Sequence, residues 1–190
     1  LLAYSSISQV GYIMLGLGIG TPLGIMGALF HLFNHSVFKS LLFLDSGAVE
    51  YATGTRNMKE MGGLSKKLPV TSGSTLAGAM SLAGIPPFAG FWSKLIIIIA
   101  AVQANHMKLA AWAALISIVT IAYILKVTRF AFLGDIKDKF MNIKEVPVFM
   151  RISLILLALI CIFGGLILIP EIRDNFLSPA VKVLSGMGGV

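Results

Sequence analysis

Three bases recur at four-residue intervals within one apolar stretch of the sequence: His31, His35 and Lys39. On an α-helix, residues four apart are turned by about 40° and displaced by about 6 Å, so these side chains form one stripe about 12 Å long. A neutral imidazole can accept a proton from one neighbour and donate a proton to another. The spacing therefore predicts a proton or ion relay, and the hydroxyl of Ser36 is expected in the same region.

A fourth base, Lys94, follows an interruption in another apolar stretch. Pro86 and Pro87 remove two backbone donors in the middle of that stretch, and Gly90 comes shortly after them. We expect two half-helices that meet near the middle of a membrane and frame an ion path, with a simple proline kink as the alternative. Lys94 would then lie near the positive N-terminal end of the second half-helix.

The elements that must position these bases are membrane helices. Of the 190 residues, 57% are apolar and only 12% are charged, about half the charged share of a soluble domain. Mean hydropathy is +0.91, and several apolar stretches reach the roughly 20 residues that cross a bilayer. These stretches are continuous rather than alternating, which indicates helices and excludes a membrane barrel. The sequence predicts an all-α, polytopic transmembrane helix bundle.

Five membrane helices are predicted, of which the third is broken at Pro86 and Pro87. The predicted spans are about 1–20, 23–50, 71–103, 109–133 and 148–169. We expect residues 1–170 to form the transmembrane domain that carries the ion path. Residues 171–190 are expected to form a short, mildly polar tail on the external side.

Basic residues in the connections predict the orientation of the bundle. Ten lysines and arginines lie at the end where the first helix begins, and three lie at the opposite end. The ten are Arg56, Lys59, Lys66, Lys67, Lys126, Arg129, Lys137, Lys139, Lys144 and Arg151, and the three are Lys108, Arg173 and Lys182. The positive-inside rule places Leu1 at the cytoplasmic face of the cell membrane (inner or plasma membrane) and the tail outside. The net charge of +7 then reflects topology and attraction to lipid headgroups, and no nucleic-acid partner is expected.

The first helix carries a polar face at spacings of three and four residues. Its members are Ser5, Ser8, Gln9 and Tyr12. They are expected either to orient water beside the bases or to form hydrogen bonds between helices. Near the cytoplasmic end of the fourth helix, Lys126 could extend to the membrane surface or meet an inlet. Asp45 is expected to be solvated at the end of its helix. Alternatively, it could pair with a lysine or act as an entry group for protons.

Two other interpretations of the stripe of bases stay open. A pair of histidines at this spacing could bind a metal ion or a haem, but His106 lies in an outer connection and no further zinc ligand lies at the same depth. The bases could also serve only as hydrogen-bonding groups between helices. Each ionisable group at that depth costs roughly 2.5 to 3.5 kcal/mol, so three on one face favour a relay. We therefore predict no metal site and no cofactor.

Four motifs follow one another along the sequence. They are LAYSSISQVGY at 2–12, HLFNHSVFK at 31–39, MGGL at 61–64 and GIPPFAGFWSK at 84–94. In this order they resemble the proton-conducting antiporter-like subunits shared by respiratory complex I, membrane-bound hydrogenases and multi-subunit cation/proton antiporters. The combination is highly specific, and the resemblance covers about residues 1–135.

The resemblance implies a fold of two inverted helical repeats with one broken helix in each. This chain would correspond to most of the second repeat and the final helix. In that family the residues matching His31, His35 and Lys39 carry protons along a central hydrophilic axis. The residue matching Lys94 is the terminal lysine of the second half-channel, which opens to the outer side. Gln9 stands where some members have a protonatable histidine, so water would carry that step.

These observations predict translocation of protons, or of sodium ions, by an antiporter-like subunit of an energy-converting, redox-driven complex of the hydrogenase or NADH dehydrogenase kind. The subunit would have no catalytic chemistry of its own. The alternatives are a subunit of a redox-independent multi-subunit sodium/proton antiporter and a truncated structural module that no longer conducts. Expected partners are the lipid bilayer and other membrane subunits. Because the resemblance covers the second repeat and the final helix, it implies that one of these subunits supplies the first repeat.

Overall fold

The computed structural model describes residues 2–186, apart from the side chain of Val127. Within this part of the chain, seven α-helices follow one another and no strand is formed. They are α1 (Leu2–Ile19), α2 (Pro22–Thr53), α3 (Pro69–Ala83), α4 (Ala89–Gln103), α5 (Met107–Phe132), α6 (Val148–Phe163) and α7 (Pro170–Leu184). The predicted all-α class is confirmed.

Among residues 2–186, three helical segments are long and apolar enough to cross a membrane. They are Leu2–Ile19, Met107–Phe132 and Val148–Leu168. The 32 residues of α2 exceed the length of a span, and this helix carries the bases of the predicted stripe together with Asp45. The other predicted span corresponds to α3 and α4, and the number of five membrane helices stays a prediction.

The first two helices form a hairpin that is closed by a tight turn. Gly20 ends α1 with a φ of 71°, and the side chain of Thr21 caps the first turn of α2. At the crossing, a Cβ atom on Gly16 would lie 2.7 Å from the carbonyl oxygen of Gly24. Small residues are therefore required here, because the two backbones touch as they do in closely packed membrane helices.

The predicted break in the third span is confirmed. Helix α3 ends at Gly84 with a φ of 77°, and α4 begins again five residues later at Ala89. A Cβ atom on Gly90 would lie 1.9 Å from the carbonyl oxygen of Ser81, so the start of α4 is pressed against the last turn of α3. The amide of Gly90 also donates a hydrogen bond to the hydroxyl of Ser81 at 3.2 Å.

Most of the residues assigned to the predicted polar tail form a helix, α7. After α6 the chain makes a 3₁₀ turn, and Pro170 then occupies the first turn of α7, where its missing N–H costs nothing. Leu177 and Val181 are buried as α7 packs against α2. Leu1 and residues 187–190, on which the predicted positions of the two chain ends depend, lie outside the described residues.

Two loops, 54–68 and 133–147, are joined at one end of the bundle. The amide of Gly63 donates to the carbonyl of Leu133 at 3.0 Å, and the hydroxyl of Ser65 donates to the carbonyl of Phe132 at 2.7 Å. Lys139 forms an ion pair with Glu60 at 2.8 Å, and this contact holds the pKa of that carboxyl below its ordinary value. The ends of α2 and α5 and the starts of α3 and α6 therefore share one face of the protein.

Candidate functional site

The predicted stripe of bases lies along one side of α2, but its members differ in burial. His31 and Lys39 are buried, and His35 is half-buried between them. The fully buried ring of Phe38 lies 6.3 Å from the His31 ring and 5.6 Å from the His35 ring, measured between centroids. The stripe is thus shared between bases and an aromatic ring and is not a continuous polar line.

His31 is joined to α4 through Ser93. Its Nδ1 atom lies 2.8 Å from the hydroxyl oxygen of Ser93, which itself donates to the carbonyl of Gly90 at 3.1 Å. A hydroxyl has one hydrogen, so it can serve either the imidazole or the carbonyl at any moment. The Nε2 atom of His31 is buried and has no hydrogen-bond partner within residues 2–186. One ring nitrogen is therefore held in place, and the other faces the interior of the bundle.

Lys94 is buried and caps the C-terminal end of α3. Its ammonium group donates to the carbonyl of Leu82 at 2.8 Å and to that of Ala83 at 3.4 Å. The last carbonyls of a helix have no partner within the helix and form its negative end. The sequence places the ammonium near the positive end of α4, whereas its nearest charge partner in the structure is the negative end of α3.

Gly84 makes this cap possible. A Cβ atom at Gly84 would lie 2.9 Å from Cδ of Lys94, and the backbone there has a φ of 77°. Both the close approach and the left-handed conformation require glycine. The break in the helix thus opens the end of α3 to a side chain of α4.

Tyr12 of α1 lies between the two bases. Its ring centroid is 5.5 Å from that of His31, and the ammonium of Lys94 lies 5.1 Å from the same ring. The hydroxyl of Tyr12 donates to the carbonyl of Ala113 and lies 2.7 Å from the hydroxyl of Ser117, both on α5. Four helices, α1, α2, α4 and α5, therefore meet around one buried cluster.

The other end of the stripe is bound to the start of α1. The ammonium of Lys39 donates to the hydroxyl of Ser5 and to the carbonyl of Leu2, each at 2.5 Å. Gln9 is fully buried, and its amide nitrogen donates to the hydroxyl of Ser8 at 3.1 Å. Its amide oxygen has no partner in the described part of the chain. Of the polar face predicted on α1, Ser5 and Tyr12 therefore contact the bases.

Two predicted placements, those of Ser36 and Asp45, differ from the structure. Ser36 is exposed, and its hydroxyl donates at 2.9 Å to the carbonyl of Leu32 in its own helix, so it does not join the bases. Lys126 is exposed on α5, and its extension to the membrane surface or to an inlet stays a prediction. The expectation of a solvated Asp45 is wrong, since only 1% of the residue is accessible. Helix α2 continues to Thr53, and α3 and α6 pack against it.

Sequence reasoning missed two residues of the cluster, Ser93 and Asn34. Asn34 is buried and donates at 3.0 Å to the carbonyl of Ala89, which anchors the start of α4 to α2. Ser93 directly precedes Lys94 in the motif at 84–94, so its position next to a base was a usable signal. Within residues 2–186, no three histidine, cysteine or acidic side chains are grouped to hold a metal ion.

Comparisons with known proteins identify the family of this chain. Residues 1–120 match the family described as NADH:quinone oxidoreductase/Mrp antiporter, TM. Uncharacterized protein MJ1309 of Methanocaldococcus jannaschii is 38% identical over 188 residues, which cover 97% of this chain and 38% of that protein. One subunit of the Na(+)/H(+) antiporter of Alkalihalophilus pseudofirmus is 42% identical over 137 residues, which cover 72% of this chain and 28% of the relative.

A solved structure shares the fold over the whole chain. Respiratory complex I from Thermus thermophilus with bound NADH contains a chain that superposes with a TM-score of 0.87 at 27% identity. The match covers 100% of this chain and 39% of that one, so the sequence spans less than half the length of each of these relatives. The chain belongs to the NADH:quinone oxidoreductase/Mrp antiporter transmembrane family.

Proposed function

We propose that this chain translocates protons, or sodium ions, across the membrane as part of an antiporter-like subunit. The observation that carries the proposal is the buried cluster of His31 and Lys94 around Tyr12. Two bases held among four apolar helices are expensive to bury, and bases at such positions usually serve a transported ion.

The hydrogen bonds of the cluster suit repeated proton exchange. His31 has one nitrogen bound to Ser93 and one without a partner in residues 2–186, so the ring can take up and release a proton without leaving its position. Lys94 can hold its proton against the carbonyls of Leu82 and Ala83. When the amine is neutral, its lone pair can accept a proton from the side of Tyr12 and His31.

Lys39 supplies the other end of the proposed relay. Its ammonium is bound to Ser5 and to the carbonyl of Leu2, and one turn of α2 separates it from His35. In this scheme a proton passes along α2 from Lys39 through His35 to His31, and from there to Lys94. The steps between these groups exceed direct hydrogen bonds, so side-chain rotation or water must complete them.

The subunit is proposed to work together with other membrane subunits. Two of the relatives named above belong to a sodium/proton antiporter and to a respiratory complex, and this chain spans less than half of each. A redox-driven complex is the first candidate setting. A redox-independent sodium/proton antiporter is the second, favoured by the 42% identity to a subunit of such an antiporter. Iron–sulfur or hydrogenase-like subunits that co-purify would indicate the first setting.

The proposal is tested by replacing the two lysines in the full protein within its complex. We expect Lys39→Ala and Lys94→Ala to abolish ion translocation in everted membrane vesicles, measured with a fluorescent ΔpH probe and with radioactive sodium. Lys108→Ala removes an exposed lysine from the first turn of α5 and should transport normally. Unchanged transport in both Lys39→Ala and Lys94→Ala would contradict the proposal.

A further variant separates transport from the cap on α3. Arginine at position 94 keeps a permanent positive charge for the carbonyls of Leu82 and Ala83 but cannot release its proton. We expect Lys94→Arg to assemble into the complex, as judged by co-purification, and to lose transport. Normal transport by Lys94→Arg would mean that Lys94 only stabilises the break.

A further inference from the structure

Asp45 is a carboxylate for which the proposed relay has no role. It is the only acidic residue within residues 2–186 that is almost completely buried, with 1% of its surface accessible. It lies six residues beyond Lys39 on α2, or about 9 Å along the helix axis. Neither of its carboxylate oxygens has a hydrogen-bond partner in the described part of the chain.

The side chain lines a cavity of about 360 Å³. The walls come from α1, α2, α3 and α5, and include Leu2, Thr75 and Thr128. Arg56, in the loop that follows α2, also lines the cavity and is exposed. The cavity therefore extends from a buried carboxylate to the surface of the protein at the loop 54–68.

Among residues 2–186, no cation is placed to pair with Asp45. Arg56 is already bound to Glu50 at 2.7 Å, and Lys39 is bound to α1. The titratable groups that face Asp45 from other elements are the carboxyl of Glu145 and the thiol of Cys161, and neither brings a positive charge. An unpaired buried carboxylate is costly, so the group must hold a proton or a bound cation.

The oxygen atoms of the cavity favour the proton over a metal cation. Hard cations take about six oxygen ligands, and the cavity provides one carboxylate and a few hydroxyls. The hydroxyl of Thr75 donates at 2.9 Å to the carbonyl of Thr71, which leaves its oxygen free to accept from a protonated acid.

Leu2 connects this cavity to the relay. Its carbonyl accepts a hydrogen bond from the ammonium of Lys39, and the same residue lines the cavity beside Asp45. A proton on Asp45 is thus separated from Lys39 by the first turn of α1. We propose that Asp45 and its cavity form a proton-uptake site, through which protons from the surface at Arg56 reach Lys39. This inference rests on the proposed function, because it supplies the relay with protons.

The first experiment measures transport. In everted vesicles of the full complex, we expect Asp45→Asn to lose most of the translocation rate and Asp45→Glu to retain it, because only the latter can carry a proton. Glu171→Gln removes a carboxylate from the exposed first turn of α7 and should leave the rate unchanged. If Asp45→Asn transports normally while Lys94→Ala does not, the uptake site is wrong and the proposed function stands. Normal transport in both Lys39→Ala and Lys94→Ala would instead contradict the proposed function.

The second experiment needs no transport and uses the unaltered protein. Dicyclohexylcarbodiimide adds to protonated carboxyl groups in apolar surroundings, and the modified residue is located by mass spectrometry. We expect labelling at Asp45 that declines as the pH is raised and that added sodium chloride does not reduce. The Asp45→Asn protein identifies any signal from Glu50. Absence of labelling at every pH would overturn the proposal. Reduced labelling of Asp45 in the presence of sodium ions would also overturn it, because the site would then bind sodium ions instead of protons.

Discussion

At the scale of single residues, the site depends on side chains that have more than one possible partner. The hydroxyl of Ser93 stands between the imidazole of His31 and the carbonyl of Gly90, so its single hydrogen selects which nitrogen of His31 carries a proton. Ser36, whose hydroxyl was expected in the same region as the bases, is exposed and donates instead to the carbonyl of Leu32 in its own helix. The choice between two serines on different helices decides how the histidine is oriented.

Ser93→Ala tests this role. The change leaves Nδ1 of His31 without its partner, which should cost about 1 to 3 kcal/mol of stability and slow translocation, since the ring loses its fixed orientation. The measurement is the thermal unfolding midpoint of the purified complex together with the vesicle transport rate. Ser36→Ala is the matched control and should change neither, because its hydroxyl bonds only to its own helix. Equal behaviour of the two variants would contradict the assignment.

At the scale of elements, the break between α3 and α4 places a cation where a continuous helix could not. The end of α3 presents carbonyls that a longer helix would have used internally, and Lys94 reaches them by passing Gly84. The start of α4 is pressed against the same turn through Gly90 and is tied to α2 through Asn34. The break is therefore closely packed and hydrogen-bonded to its neighbours, and we expect it to be rigid.

Gly90→Ala should disrupt this unit. The added methyl group would lie 1.9 Å from the carbonyl oxygen of Ser81, and because that atom is backbone, the two helices must separate. We expect a loss of stability of about 3 kcal/mol and a loss of transport. Gly73→Ala, in α3 with no atom within 4 Å of the new methyl group, should be neutral or up to about 1 kcal/mol stabilising. Thermal unfolding of both variants provides the check, and a stable, active Gly90→Ala protein would contradict the packing described.

At the scale of the whole molecule, the two joined loops gather many of the basic residues at one face. Loops 54–68 and 133–147 are held together by backbone hydrogen bonds and by the pair of Lys139 with Glu60. Helix α5 ends at the loop 133–147 and begins at the short turn after α4, which contains His106. This turn therefore lies at the end of α5 opposite the joined loops. The sequence assigns the basic face to the cytoplasm, and this orientation stays a prediction.

The orientation can be measured by labelling with a membrane-impermeant maleimide. Cys161 is the only cysteine of the sequence and is buried, so it contributes little background. In intact cells we expect labelling of the exposed variant His106→Cys and none of Lys59→Cys, with both labelled after the membrane is opened. The reverse pattern in intact cells would mean that the basic face lies outside.

The sequence alone determined the helical class, the position of the break and the spacing of the bases, because these follow from local apolar periodicity and from proline chemistry. It left open which neighbour each base would meet. His31 bonds to a residue 62 positions away and Tyr12 to one 101 positions away, and no local pattern encodes such contacts. Only the tertiary structure decided that Lys94 caps α3, that Ser93 and not Ser36 holds His31, and that Asp45 is enclosed. The physical reason is that a helix has several faces, and packing against other helices selects the one that is buried.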